Sequence, residues 1–287
     1  IDTIKIKEIV TNKINEEKIR NSNIDFGLVT MCVSDMSPQE LFISDIPNGK
    51  LIDYIMATSN LPVFKRAIVD NKKYLDGGVW DNCPVSMLES KNFSDAIVIR
   101  AYKRNRIRGY HGIIKRNNIT MHMIEPVDSL GSILNFDTDN LNRLVTLGYF
   151  DGLRFIHDFD GKRYYIVKTR PKEITNMLNN IDFSEIVKIC NMLRIKLNEG
   201  DEIKEKLKNK VIPSLLSRAK IKKTISLKES ILLILEYVAD IENIDKFRVY
   251  NFDEFVNIIQ SKISSNNSNI VDKNNVPIYE FVKALYY

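Results

Sequence analysis

The sequence predicts an α/β fold over residues 1–170, followed by an all-α extension over residues 171–287. Up to residue 155, short β-branched and apolar runs alternate with stretches whose apolar residues recur every three or four positions. Around Lys168-Thr-Arg-Pro-Lys172 the strand pattern stops, and every long segment beyond it has helical period with Asn, Ser and Asp clusters between segments. The 287 residues are 44% hydrophobic, enough to bury the core of one large or two modest domains and to exclude a wholly disordered chain.

Residues 1–20 space Ile6, Ile9, Val10 and Ile14 as one amphipathic helix. Phe26-Gly-Leu-Val-Thr-Met-Cys-Val33 and Glu40-Leu-Phe-Ile-Ser44 read as adjacent strands about the turn formers Asp35-Met-Ser-Pro38. A helix is predicted over 50–58, and a hairpin over 64–75 that turns at Asp70-Asn71. Residues 84–91 form a short helix with Pro at its start, Asp95-Ala-Ile-Val-Ile-Arg100 a buried strand, and 119–124 a further strand. A helix over 136–155 would carry Leu141, Leu144, Val145, Tyr149 and Leu153 on one stripe. In the extension, helices are predicted over 174–193, 201–219, 226–241, 252–263 and 277–286, with Pro213 breaking or kinking the second.

Forty-two basic against 37 acidic residues leave a formal charge of +5, so any polyanion-binding function must be local. The longest aliphatic run, Ile231-Leu-Leu-Ile-Leu235, falls far short of the ~20 residues of a membrane-spanning helix. Cys32, Cys83 and Cys190 are widely spaced, with no CxxC and no nearby His pair, which predicts neither a disulfide framework nor a metal site. A reducing, cytoplasmic setting is expected. The first residues carry neither an initiator Met nor a signal-peptide order, and the chain reads as a piece of something longer.

Taken alone, Tyr74-Leu-Asp-Gly-Gly-Val79 reads as strand, turn, strand, with the glycines supplying the positive φ of a tight hairpin. The other reading is that the glycines let backbone approach a reacting centre while Asp76 presents a carboxylate. The neighbouring motifs favour the second. Phe26-Gly-Leu-Val, then Ala57-Thr-Ser-Asn-Leu-Pro-Val-Phe64, then Asp76-Gly-Gly with Asn82-Cys-Pro-Val85 close behind, resemble in order and spacing the C-terminal half of a patatin-like phospholipase domain. Ser59 and Pro62 are in step with that family's pattern, and Phe64 stands one position early. Pro126, Ser129-Leu-Gly-Ser-Ile-Leu-Asn-Phe136 and Leu147-Gly-Tyr-Phe-Asp151 also resemble its closing segment, so the likeness covers about residues 20–155.

The resemblance implies the C-terminal part of an α/β sandwich and a lipid acyl-ester hydrolase that uses a Ser-Asp dyad, without metal or organic cofactor. It assigns Asp76 as the dyad acid/base and puts Gly77 and Gly78 beside the substrate. A carboxylate of ordinary pKa, ~3.9, is a weak base, so such a site must add partial burial and strong oxyanion stabilisation. No Gly-x-Ser-x-Gly occurs in the sequence. The expected partner is therefore an N-terminal segment carrying that nucleophile, upstream of residue 1, and the chain alone should be inactive. The alternative is a non-catalytic pseudoenzyme half that docks a partner or a membrane.

The three histidines, His111, His122 and His157, lack partner motifs for a triad and are expected at the surface or in satisfied core positions. Trp80 is expected in the core rather than in an acyl pocket, and Cys83 as a small buried apolar residue. Two basic runs stand out. Residues 100–116 hold seven Lys or Arg and no acid; residues 202–228 hold nine against Glu202 and Glu205. Each reads either as a solvated surface or as a contact to an anionic membrane, with the protein peripheral to it. Nucleic acid is not expected: Tyr102 and Tyr110 flank the arginines, but no reading module surrounds them.

Overall fold

The computed structural model describes residues 3–62, 64–101, 119–132, 135, 137–197, 202–221, 226–265 and 272–285. Helices and strands mix in the first part, and the C-terminal half is largely helical. The described residues fall into two compact units, within Ile1–Val98 plus Ile107–Met123 and within Ile99–Arg106 plus Ile124–Tyr287.

The first unit opens with α1 (Ile4–Lys13) and α2 (Glu16–Arg20) rather than one helix. Ile14 is extended between them, and Asn15 caps α2 by accepting from the Lys18 N–H. The Arg20 guanidinium binds Glu16 and donates to the carbonyls of Ile43 and Ile46. A four-stranded antiparallel sheet follows, in the order β2 (Ser37–Phe42), β1 (Gly27–Cys32), β4 (Lys72–Asp76), β3 (Ala67–Val69). Pro38, expected in the turn, lies inside β2; this is tolerated because β2 is an edge strand. The β3–β4 hairpin turns at Asp70 and Asn71 with φ of 49° and 62°, the doubly left-handed backbone of a two-residue loop that matches strand twist. Helix α3 (Leu51–Thr58) packs on this sheet through Leu51 and Ala57.

Helix α4 (Val85–Ser90) precedes a two-stranded sheet of β5 (Asp95–Ile99) and β6 (Thr120–Ile124). The buried strand expected over 95–100 is only half buried. Ala96 and Val98 face a small core with Cys83, Val85 and Ile119, whereas Ile97 and Ile99 are exposed. Of the basic residues in 100–116, only Arg100 lies within the described residues. It is buried and ion-paired with Glu125 at 2.6 Å, so it is not a free surface charge.

The first helix of the second unit is α5 (Thr138–His157), capped by Asp137, which accepts from the Asn140 N–H. Its predicted stripe is not a core face: Val145 and Tyr149 are exposed, and Leu147 is the buried apolar residue. The helix predicted over 174–193 is two helices, α6 (Pro171–Asn179) and α7 (Phe183–Leu193). Residues 203–218 run through α8 (Ile203–Lys206), a π-helical turn at Leu207–Val211, and α9 (Ile212–Arg218). The wide turn sits just before Pro213, whose ring crowds the carbonyl four residues back in a regular helix. Then follow α10 (Leu227–Ile241), α11 (Phe252–Ser265) and α12 (Val276–Lys283).

The extension is not wholly helical. Strand β8 (Val249–Tyr250) pairs in parallel with β7 (Tyr165–Ile166) and carries Tyr164, Ile166 and Tyr250 into one core with the helices. Glu236, on α10 and 1% exposed, ties this segment down, because one of its carboxylate oxygens accepts from the backbone N–H groups of Lys162, Arg163 and Tyr164. Burial nonetheless holds its pKa above the usual carboxylate value. Among the described residues, no helix is long and apolar enough to cross a membrane.

Candidate active site

The site is built where β4 ends. Asp76 is the last residue of the strand and pairs across to Thr30 of β1. Thr30, fully buried, donates its hydroxyl to the carbonyl of Leu75 at 2.9 Å, and so fixes the strand end from the β1 side. From the other side, the Asp76 N–H donates to the Asn60 carbonyl at 3.0 Å, and the buried Asn60 amide donates to the Tyr74 carbonyl at 3.2 Å. Burial pushes the Tyr74 phenol up, helped by its edge-on neighbour Tyr54, so the ring stays neutral behind the strand.

Beyond Asp76 the chain does not turn back into a second strand, as the hairpin reading expected. It enters a 3-10 turn, Gly77–Val79, in which neither glycine has positive φ. The glycines are required by space. A Cβ on Gly77 would lie 2.0 Å from the Val29 carbonyl oxygen, and one on Gly78 would lie 2.2 Å from Asn82 Oδ1 and 3.0 Å from Asp76 Oδ1. Thr58 pins the same Val29 oxygen by donating its hydroxyl to it. The turn is thus wedged against β1 with no room for a side chain.

This fixes the carboxylate. Oδ1 of Asp76 accepts from the Gly78 N–H at 2.7 Å, whereas Oδ2 has no hydrogen-bond partner and no cation in ion-pair reach among the described residues. Asp76 is half-buried. Val79 and Trp80, which follow at once, are 59% and 62% exposed. Trp80 is therefore not a core residue: the 3-10 turn carries it outward, leaving apolar surface next to the carboxylate. Asn82 and Asp81 complete the loop, with Asp81 accepting from the Cys83 N–H. Cys83 is buried and packs with Val85 and Val98.

The other candidates lie elsewhere. Ser59 caps the end of α3, donating its hydroxyl to the Ile55 carbonyl. His122 is half-exposed with Nε2 3.5 Å from Asp95, and His157 stacks on Phe159. His111, Tyr102 and Tyr110 lie outside the described residues. Among the described residues, no group of three or more His, Cys, Asp or Glu is assembled that could hold a metal. Sequence reasoning did not single out Thr30 or Asn60. The signal available was a hydroxyl inside an apolar strand and an amide at a helix end, each buried and each spent on the backbone that carries Asp76.

Residues 1–89 match the patatin-like phospholipase family. No curated protein and no solved structure matches the chain.

Proposed function

Since residues 1–89 carry a patatin-like phospholipase domain, a family whose members are lipid acyl hydrolases, we propose that this chain supplies the carboxylate of a Ser-Asp dyad, Asp76, for hydrolysis of lipid acyl esters. The serine comes from a separate Gly-x-Ser-x-Gly segment, and residues 1–170 are the C-terminal part of the α/β sandwich that this segment completes. The observation that carries the reading is Oδ2 of Asp76, without a partner among the described residues, beside a carboxylate oxygen locked by the Gly78 N–H. A base must be fixed in direction yet keep one lone pair for the incoming proton, and this carboxylate has both features.

In the proposed reaction, Oδ2 of Asp76 accepts the serine hydroxyl proton as the oxygen attacks the ester carbonyl. The tetrahedral intermediate collapses to an acyl-serine, and the leaving alcohol takes the proton back from Asp76. Asp76 then takes a proton from water, whose oxygen attacks the acyl-serine, and the acid is released with the serine restored. The Gly77-Gly78 backbone lies beside the reacting ester, where a side chain would displace the Asp76 carboxylate. Exposed Val79 and Trp80 meet the apolar part of the substrate.

The reading is tested by mixing the chain with a patatin-type segment bearing Gly-x-Ser-x-Gly and measuring fatty acid released from phospholipid. Release that requires both components supports it. No release, with the two components shown to bind each other, overturns it.

A further inference from the structure

The helical unit has an outer face whose charge is left unbalanced. Between residues 202 and 221, six Lys or Arg stand against Glu202 and Glu205 alone. Leu207, Val211, Ile212, Leu215 and Leu216 turn into the core and fix α8, the π turn and α9 in place. Lys204, Lys208, Lys210 and Lys220 are exposed on the opposite side. None of these four ammonium groups has an ion-pair or hydrogen-bond partner among the described residues. Other lysines of the unit sit among carboxylates: Lys188 and Lys283 share Glu280, Lys162 pairs with Glu229, and Lys228 pairs with Asp160.

We propose that the exposed lysines of α8, of the π turn and of the residues just past α9 bind an anionic lipid surface. The charges are lysines, compact and hydrated cations on flexible stems, rather than the planar guanidinium forks suited to reading bases. The exposed positions between them, Asn209, Pro213 and Ser217, offer no aromatic ring for a base to stack on. With the apolar side of these helices committed to the core, nothing is left to insert among acyl chains. Attachment is therefore by charge alone, reversible and screened by salt. The choice of lipid over another polyanion rests on the lipid-hydrolase reading above.

The test is sedimentation of the whole chain with phosphatidylcholine vesicles, with and without phosphatidylserine. Binding is expected only with phosphatidylserine, and loss of it at high salt. At roughly fivefold in partitioning per lysine, the variant K204Q/K208Q/K210Q/K220Q should bind at least a hundredfold more weakly. These side chains are exposed, and an unchanged circular dichroism spectrum establishes that the variant folds. Equal binding of variant and wild type, binding indifferent to phosphatidylserine, or tighter binding to duplex RNA or DNA at the same salt overturns the proposal. Asp76→Asn should sediment as the wild type does. A complemented wild-type chain that binds the vesicles but releases no fatty acid therefore tells against the Asp76 reading alone, and one that hydrolyses phospholipid but does not bind the vesicles tells against this face alone.

Discussion

Replacing Gly77 by Ala tests how the carboxylate is held. The added methyl would sit 2.0 Å from the Val29 oxygen and 2.5 Å from its carbonyl carbon, where ordinary contacts exceed 3 Å, so backbone must move by about 1 Å. Neither side yields cheaply. Val29 lies in the central strand β1, paired on both edges, and its oxygen also holds the Thr58 hydroxyl; Gly77 is tied to Asp76, whose N–H is spent on Asn60. Overpacking against backbone of this kind costs about 3 kcal/mol. That corresponds to a factor of roughly 150 in the local opening equilibrium. Amide hydrogen exchange, followed by mass spectrometry on peptides covering β1 and β4, should show protection falling by about that factor, with the helices of the second unit unaffected. Unchanged protection in Gly77→Ala would refute the claim that the diglycine is there for space.

Glu236 gives a pH signature. Its folded-state pKa is raised by burial, so its contribution to stability is full below the unfolded value near 4.5 and is lost as pH rises through the folded value. Glu236→Gln keeps an oxygen for the three N–H groups but cannot ionise. The difference in urea midpoint between Gln variant and wild type should therefore widen in the variant's favour as pH rises above 4.5, and a constant difference would contradict this. Phe255, fully buried between Tyr164 and Tyr250 at centroid distances of 5.1 Å, should cost about 3–5 kcal/mol when cut to Ala, read as a lower urea midpoint for the helical unit. Arg20→Met should lower the stability of the first unit by about 1–3 kcal/mol, because the carbonyls of Ile43 and Ile46 lose their charged donor. A change below about 0.5 kcal/mol in a thermal or urea melt would show that water replaces it.

Legibility in the sequence followed how local the determining physics is. The β3–β4 hairpin was readable because Asp70 and Asn71 tolerate the left-handed backbone that a two-residue loop demands. Helix α10 was readable from its cap Ser226 and its dense apolar run. Breaks were not: Ile14 interrupts the first helix and residues 180–182 interrupt 174–193 without a Gly or Pro to mark them. Two-residue strands such as β8 are too short to have a period at all. From Ala96 to Ile99 the strand is apolar at every position, so pattern alone could not say that Ile97 and Ile99 face outward.

At the site, Asp76 came from motif resemblance, and the structure supplies what the motif omits. Gly77 answers to the Val29 carbonyl, which lies 48 residues earlier in the chain, and Gly78 to the Asn82 and Asp76 side chains, rather than to a turn's φ angles. Trp80 was expected inside because tryptophans usually are. A 3-10 turn of three residues reverses that, and no periodicity forecasts it. Glu236 was visible as an acid within Ile231-Leu-Leu-Ile-Leu-Glu236, but its partners come from more than 70 positions away.

The rate of phospholipid hydrolysis by the chain complemented with a Gly-x-Ser-x-Gly segment, compared between wild type and Asp76→Asn, bears most directly on the role given to this carboxylate. Removing the base while keeping the Oδ1 acceptor for Gly78 should lower kcat/KM by roughly 100- to 10,000-fold, with the vesicle-bound fraction unchanged. A complemented Asp76→Asn protein that retains activity within tenfold of wild type would place the catalytic base elsewhere.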